Sequence, residues 1–253
     1  MLLESASQEQ PVSVVAQVNC HPEQAYPPFR LAYNAKNVFA IPDLSLRWPL
    51  MSALLPLFPL DVVLLPGAIL PLHIFEPRYK EMISECLDQH RVFGIVRAKD
   101  GAVAEIGCTA EILTVTKKYD DGRMDIVTQG RERFEVLHVN QERIFLQAEV
   151  LYLQDDHDTA SPEDIDRAIK MHAEIMKLAN AEPESGSEID KEQLSFHLAA
   201  SLPLDPDLKQ ALLGMKSEAE RLRAVISFFE AALPKMRHTL HARRKAGGNG
   251  HAL

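Results

Sequence analysis

The chain has 253 residues, with 27 Lys+Arg against 36 Asp+Glu, 46% hydrophobic residues and 6% aromatic ones, the composition of an ordinary soluble globular protein of one or two domains. That length excludes a large multidomain machine, because a nucleotide-driven motor module of roughly 200 to 300 residues would leave no room for a separate catalytic domain. A formal charge of -9 opposes the phosphate backbone of nucleic acids, so binding there would need a locally basic face.

Residues 1–50 hold six of the 16 prolines, no glycine and no sustained apolar period, and they read as an extended or disordered leader. Met51 opens a different kind of sequence. Either it is the true start, or the first 50 residues are a genuine flexible tail. Leu54 to Leu72 carries a single charge, Asp61, but its four prolines and Gly67 argue against a membrane helix, since a proline inside a helix costs about 3 kcal/mol. It also lacks the basic flank of a signal peptide.

Leu57–Leu60, Val62–Leu65 and Ile69–Ile74 are short apolar runs separated by turn residues, as in buried strands joined tightly. Glu76-Pro77 then opens a helix whose apolar face is Tyr79, Met82, Ile83, Cys86 and Leu87. Val92–Arg97 reads as the next strand. Glu111–Lys118 and Met124–Thr128 flank Asp120-Asp121-Gly122, a hairpin signal because Asp and Gly tolerate positive φ. Phe134–Val139 and Ile144–Leu153 complete the set. In the last, Leu146, Ala148, Val150 and Tyr152 form the apolar face. Six or more strands in about 100 residues indicate a small barrel or a strongly bent sheet.

Beyond Leu153 the pattern turns helical. Asp155, Asp156 and Asp158 make an acidic linker, and Ser161-Pro162-Glu163-Asp164 is a helix start. After a second linker, 181–188, further helices begin at Asp190, at Asp205-Pro206 and at Ser217 with Glu220, and Gly214 ends the third. The face Leu222, Val225, Ile226 and Phe229 either joins two copies into a homodimer or is wholly internal.

Chemistry is sparse. The three cysteines, Cys20, Cys86 and Cys108, have no CxxC spacing, which gives neither a disulfide framework nor a zinc ribbon and suits a cytoplasmic protein. Phosphate-loop, dinucleotide, nucleophile-elbow and HExxH motifs are all missing. His73, beside Ile74 and Phe75, reads as a hydrogen-bonded core imidazole. Ser195 and Lys191 are four apart and read as a solvated helix face. Lys117, Lys118, Arg123, Arg131 and Arg133 alternate with acids and read as cross-strand ion pairs. The basic run Lys235–Lys245 offsets a helix dipole.

Leu55–Ile83 (LPLFPLDVVLLPGAILPLHIFEPRYKEMI) resembles the opening of the amino-terminal domain of Lon proteases. Phe93–Val96, Ile106–Ile112, Asp120–Phe134 and Leu194–Val225 match in order. The closest resemblance is to bacterial proteins made of this domain alone. It implies an α+β fold, in which a PUA-like β-barrel with one helix precedes a carboxy-terminal helical bundle. The expected division is 1–50 leader, 51–154 barrel, 155–245 bundle and 246–253 tail. It also implies a substrate-recognition role without catalysis, since the ATPase and Ser-Lys peptidase parts of Lon are other domains. No cofactor, metal or catalytic residue is carried over.

The expected partners are unfolded or flexible protein segments, with no membrane and little call for nucleic acid. RNA binding through the barrel is the alternative. The candidate surface is Pro66, Leu70, Leu72, Phe75, Tyr79 and Arg123, with Glu76 and Arg78 pinning the strand-to-helix corner. Because the leader offers no periodic apolar face, a chain beginning at Met51 should melt within about two degrees of the full chain. A larger drop on thermal unfolding would show that residues 1–50 pack on the domain.

Overall fold

The computed structural model describes residues 54–181 and 193–248. Its elements are β1 (Leu55–Leu60), β2 (Ile69–Ile74), α1 (Pro77–Asp88), β3 (Phe93–Lys99), β4 (Ala102–Lys118), β5 (Met124–Asn140), β6 (Gln147–Tyr152), α2 (Pro162–Leu178), α3 (Leu194–Ala200), α4 (Pro206–Gly214) and α5 (Glu218–Gly248). The predicted helix start at Asp190 lies outside the described residues.

The strand order is β2-β5-β4-β3-β1-β6, and β5 pairs with β6 as well. The long β5 therefore serves three neighbours: its first half lies between β2 and β4, and its second half turns to β6. β1 is buried along its whole length beside parallel β3, as its unbroken apolar run requires. Three register shifts between β4 and β5 bend the pair, because each extra residue on one strand increases the local twist.

Several strand boundaries differ from the sequence pattern. Val62–Leu65 is a loop, yet Leu64 and Leu65 are buried. It crosses β5 at Gly130, where a Cβ would stand 2.2 Å from the Leu65 carbonyl oxygen, so only glycine admits the crossing. β5 runs unbroken through Gly130 and the charges Arg131–Arg133, residue types that interrupt an apolar period without ending a strand. β4 begins earlier than the pattern suggests, at Ala102. Tyr152, assigned to the buried face of β6, is 41% exposed, since burial fades where β6 leaves β1. The hairpin is as expected: Gly122 has φ 82° and its N–H donates to the Tyr119 carbonyl at 2.9 Å.

The helices begin where the caps predict. Ser161 Oγ accepts the Asp164 N–H at 3.1 Å, and Asp205 accepts the Asp207 N–H at 2.7 Å. At α5, Ser217 Oγ accepts the Glu220 N–H, while Asp158 accepts from the Ser217 hydroxyl and from the N–H groups of Glu218 and Ala219. These bonds, the Ser217 hydroxyl foremost, hold the Asp158 carboxyl below its ordinary pKa. The acidic linker is thus a helix cap. α2 and α5 run side by side in the same direction, joined by Asp164–Arg223, Arg167–Glu230 and Glu174–Arg237. Leu222, Val225, Ile226 and Phe229 all belong to the main core and are at most 4% exposed. This face is internal and cannot join two copies.

One apolar core continues from the inner face of the strands into the helices. Across this junction lies a buried polar network. Arg221, fully buried on α5, donates to both oxygens of Asp155 (3.0 and 2.6 Å), to Glu218 and to Ser195 Oγ. Arg133 on β5 reaches the same Asp155 and the carbonyls of Leu213 and Met215. Ser195 is no solvated surface residue: it is 0% exposed, and its N–H and hydroxyl both donate to Glu218. Lys191 lies outside the described residues. Removing one member of a buried pair leaves its partner's charge uncompensated, at a cost of about 3 to 5 kcal/mol. Arg221→Ala is expected to lose stability on that scale in urea unfolding, whereas a change under about 1 kcal/mol would show that solvent reaches the network.

Candidate protein-binding surface

β2 pairs with β5 through Ile69↔Gln129 to Ile74↔Met124, and its other edge pairs with no strand among the described residues. The phase of that ladder follows from the Gly130 N–H donating to the Ala68 carbonyl at 2.9 Å. Alternate antiparallel pairs exchange main-chain hydrogen bonds, so Leu70 and Leu72 direct their backbone groups to β5. Ile69, Pro71 and His73 direct theirs to the open edge. Pro71, which has no N–H, thus sits where it costs no internal ladder bond.

Side chains follow the same period of two. Leu72, Ile74, Met124, Ile126 and Thr128 are buried on the inner face. The outer face of β2, β5 and β4 is arranged in rows: Ile69–Gln129–Glu111, Pro71–Val127–Thr114 and His73–Asp125–Lys117. Ile69 (53%), Leu113 (46%) and Phe75 (44%) are exposed here.

At the hairpin end the face becomes an aromatic ledge. His73 Nδ1 lies 2.5 Å from Asp125 Oδ1, and the Tyr119 hydroxyl donates to Asp125 Oδ2 at 2.9 Å. The His73 contact, with the Tyr119 bond second among the hydrogen bonds, holds the Asp125 carboxyl below its ordinary pKa. The His73 ring stacks near Phe75 and meets Tyr119 edge-on, each at 5.9 Å between centroids. Lys117 Nζ and Arg123 Cζ lie 4.4 and 4.8 Å from the centre of the Tyr119 ring, within cation–π range. Arg123 also pairs with Asp121, whose carbonyl accepts from Lys80 of α1 at 3.0 Å and so ties the hairpin to the helix.

The residues predicted for the surface divide. Phe75 is exposed and Arg123 half-exposed, both on the ledge. Leu70 is half-buried and packs against the core, Leu72 and Tyr79 are buried in it, and Pro66 is buried beside the junction cavity. His73 is hydrogen-bonded as expected but is half-buried on the outer face and not in the core. Ile69 and Pro71, within the same segment, lie on the outer face with Val127 and Tyr119, since a shift of one residue exchanges the faces of a strand. Glu76 and Arg78 do pin the corner, at 2.7 Å. Among the basic strand residues, Arg131 pairs across to Glu111 as expected, while Arg133 is 4% exposed and belongs to the junction.

Such a surface can bind, through main-chain pairing and apolar contact. Desolvation pushes the thiols of Cys86 and Cys108 up to about 11 and about 12, so neither is an activated nucleophile. A cavity of about 420 Å³ lies at the strand–helix junction, lined by Arg133, Asp155, Phe196 and Glu218 among others. Its buried charges are already paired with one another.

Residues 54–231 match the family described as the ATP-dependent protease La (LON) substrate-binding domain. The Lon protease of Cytophaga hutchinsonii is 25% identical over 187 residues, covering 67% of this chain and 23% of that protein. Protein cereblon of Xenopus tropicalis is 31% identical over 93 residues, covering 35% of this chain and 21% of that protein. The chain therefore spans about a quarter of the length of the curated relatives it matches. A crystal structure of a Lon N-terminal domain protein from Xanthomonas campestris superimposes with a TM-score of 0.56 at 28% identity, covering 69% of this chain and 97% of that one. The N-terminal domain of a Mycobacterium avium complex Lon protease gives 0.52 at 19%, covering 70% and 98%, a likeness of fold alone. With the family match extending over most of its length, the chain belongs to the LON substrate-binding domain family.

Proposed function

We propose that this chain is a non-catalytic protein-binding module that takes up unfolded or flexible segments of other proteins and acts as a substrate-recognition factor or adaptor in cytoplasmic protein quality control. The observation that carries the reading is the open edge of β2 beside an outer face exposing Ile69, Leu113 and Phe75. Main-chain pairing on an open edge tolerates many sequences, which suits a receptor for diverse chains. The family's substrate-binding description points the same way. In this reading the strand circuit β5-β4-β3-β1-β6-β5 is the PUA-like barrel, and α2 to α5 are its helical bundle.

Affinity at one site is modest. Each fully buried Leu or Phe contributes about 1.5 to 3 kcal/mol and ordering the bound segment takes back about 2 to 5, which gives dissociation constants of micromolar or weaker. Pro71 adds to this limit, because its missing N–H leaves one rung of the outer ladder unmade. The RNA alternative has less support, since Arg131 and Arg123 are paired with acids and Arg133 is buried.

The purified protein is expected to retain a permanently unfolded polypeptide in a manner that survives added salt, with neither ATP hydrolysis nor cleavage. Ile69→Asp and Phe75→Asp should each weaken retention, by about threefold or more, without lowering the melting temperature. Retention of RNA that salt abolishes, in place of unfolded protein, would establish the alternative.

A further inference from the structure

Resting on the binding reading above, we propose that the ledge selects the charge of the bound segment: the outer face takes an extended stretch in which an apolar side chain and an acidic one stand two residues apart. The apolar position lies over Pro71 and Val127, and the acidic position over the next row, His73–Asp125–Lys117. Same-side residues of an extended chain recur at about 6.6 Å, the spacing of those rows themselves.

The charge preference comes from how the ledge spends its own groups. Three cations, Lys80, Lys117 and Arg123, lie at Tyr119 and the hairpin, with Asp120, Asp121 and Asp125 as the nearby acids. Both oxygens of Asp125 are engaged, by His73 and Tyr119, and Asp121 is engaged by Arg123. Lys117 rests on the Tyr119 ring and makes no ion pair among the described residues. It acts on Asp125 only through space. An arriving carboxylate gains Lys117 on a platform already held in place, whereas an arriving ammonium meets like charge. Leu113 and Val127 supply the apolar floor one row away.

The test uses the full chain and two labelled extended peptides that differ only in carrying Glu or Lys two residues from a Leu, with binding followed by fluorescence anisotropy. The Glu peptide is expected to bind about two- to fivefold more tightly at low salt, with the margin shrinking as salt rises. Lys117→Glu, at an exposed position, should reverse the order, and Val127→Ser should weaken both peptides equally. Equal binding of the two peptides, unmoved by Lys117→Glu, would overturn the charge selection and leave the protein-binding reading standing. Binding of neither peptide would remove that reading and the selection with it. A labelled RNA that outcompetes the Glu peptide would assign the cations to nucleic acid and overturn the proposal likewise.

Discussion

The fold depends on one carboxylate shared by two arginines. Asp155, in the segment joining the strands to the helices, receives Arg133 from β5 and Arg221 from α5. Arg221 in turn holds Glu218, which takes both donors of Ser195 on α3. Burial pushes the Glu218 carboxyl above its ordinary pKa, and its bonds to Ser195 and Arg221 offset part of that. A buried network of this kind is valuable only when every member is satisfied. Here Arg133 also caps the carbonyls of Leu213 and Met215 at the end of α4, so strands and helices are registered by hydrogen bonds of fixed direction as well as by apolar burial.

That junction occupies the inner side of β5 and leaves its outer side free. Because Gly130 lets the 61–68 loop cross closely, β2 is delivered to β5 in a single phase, with Leu72 and Ile74 inward and Ile69, His73 and Phe75 outward. The close crossing at Gly130 and the open edge of β2 are consequences of one backbone path. The Lys80 contact to Asp121 then holds the β4–β5 hairpin, and with it the aromatic ledge, against α1.

Local chemistry was legible in the sequence where it is itself local. The caps at Ser161, Asp205 and Ser217, the Asp-Asp-Gly turn and the face of α1 are all set by neighbouring residues. What escaped depends on distant partners. The acids 155, 156 and 158 read only as an acidic linker, yet Asp158 caps α5 and Asp155 binds two buried arginines. Arg133 reads as a cross-strand ion pair and Ser195 as a solvated helix face for the same reason, and both are buried. For the proposed surface, the sequence reading places Leu70 and Leu72 outward, but burial claims both and leaves Ile69, Pro71 and His73 outward. An alternating strand declares that it has two faces, and only its partner strand decides which is wet.

In the proposed function, flexible segments engage the open edge and outer face of β2. Amide hydrogen exchange in the presence of a saturating unfolded polypeptide tests it most directly, because pairing on that edge slows the amides that point outward. New protection is expected at Ile69 and His73, little change at Leu70 and Leu72, whose N–H groups already serve β5, and none at Pro71, which has no amide hydrogen. Protection confined to another part of the molecule, such as the β5–β6 ribbon around Leu137 and Leu151, which are 52% and 53% exposed, would contradict it.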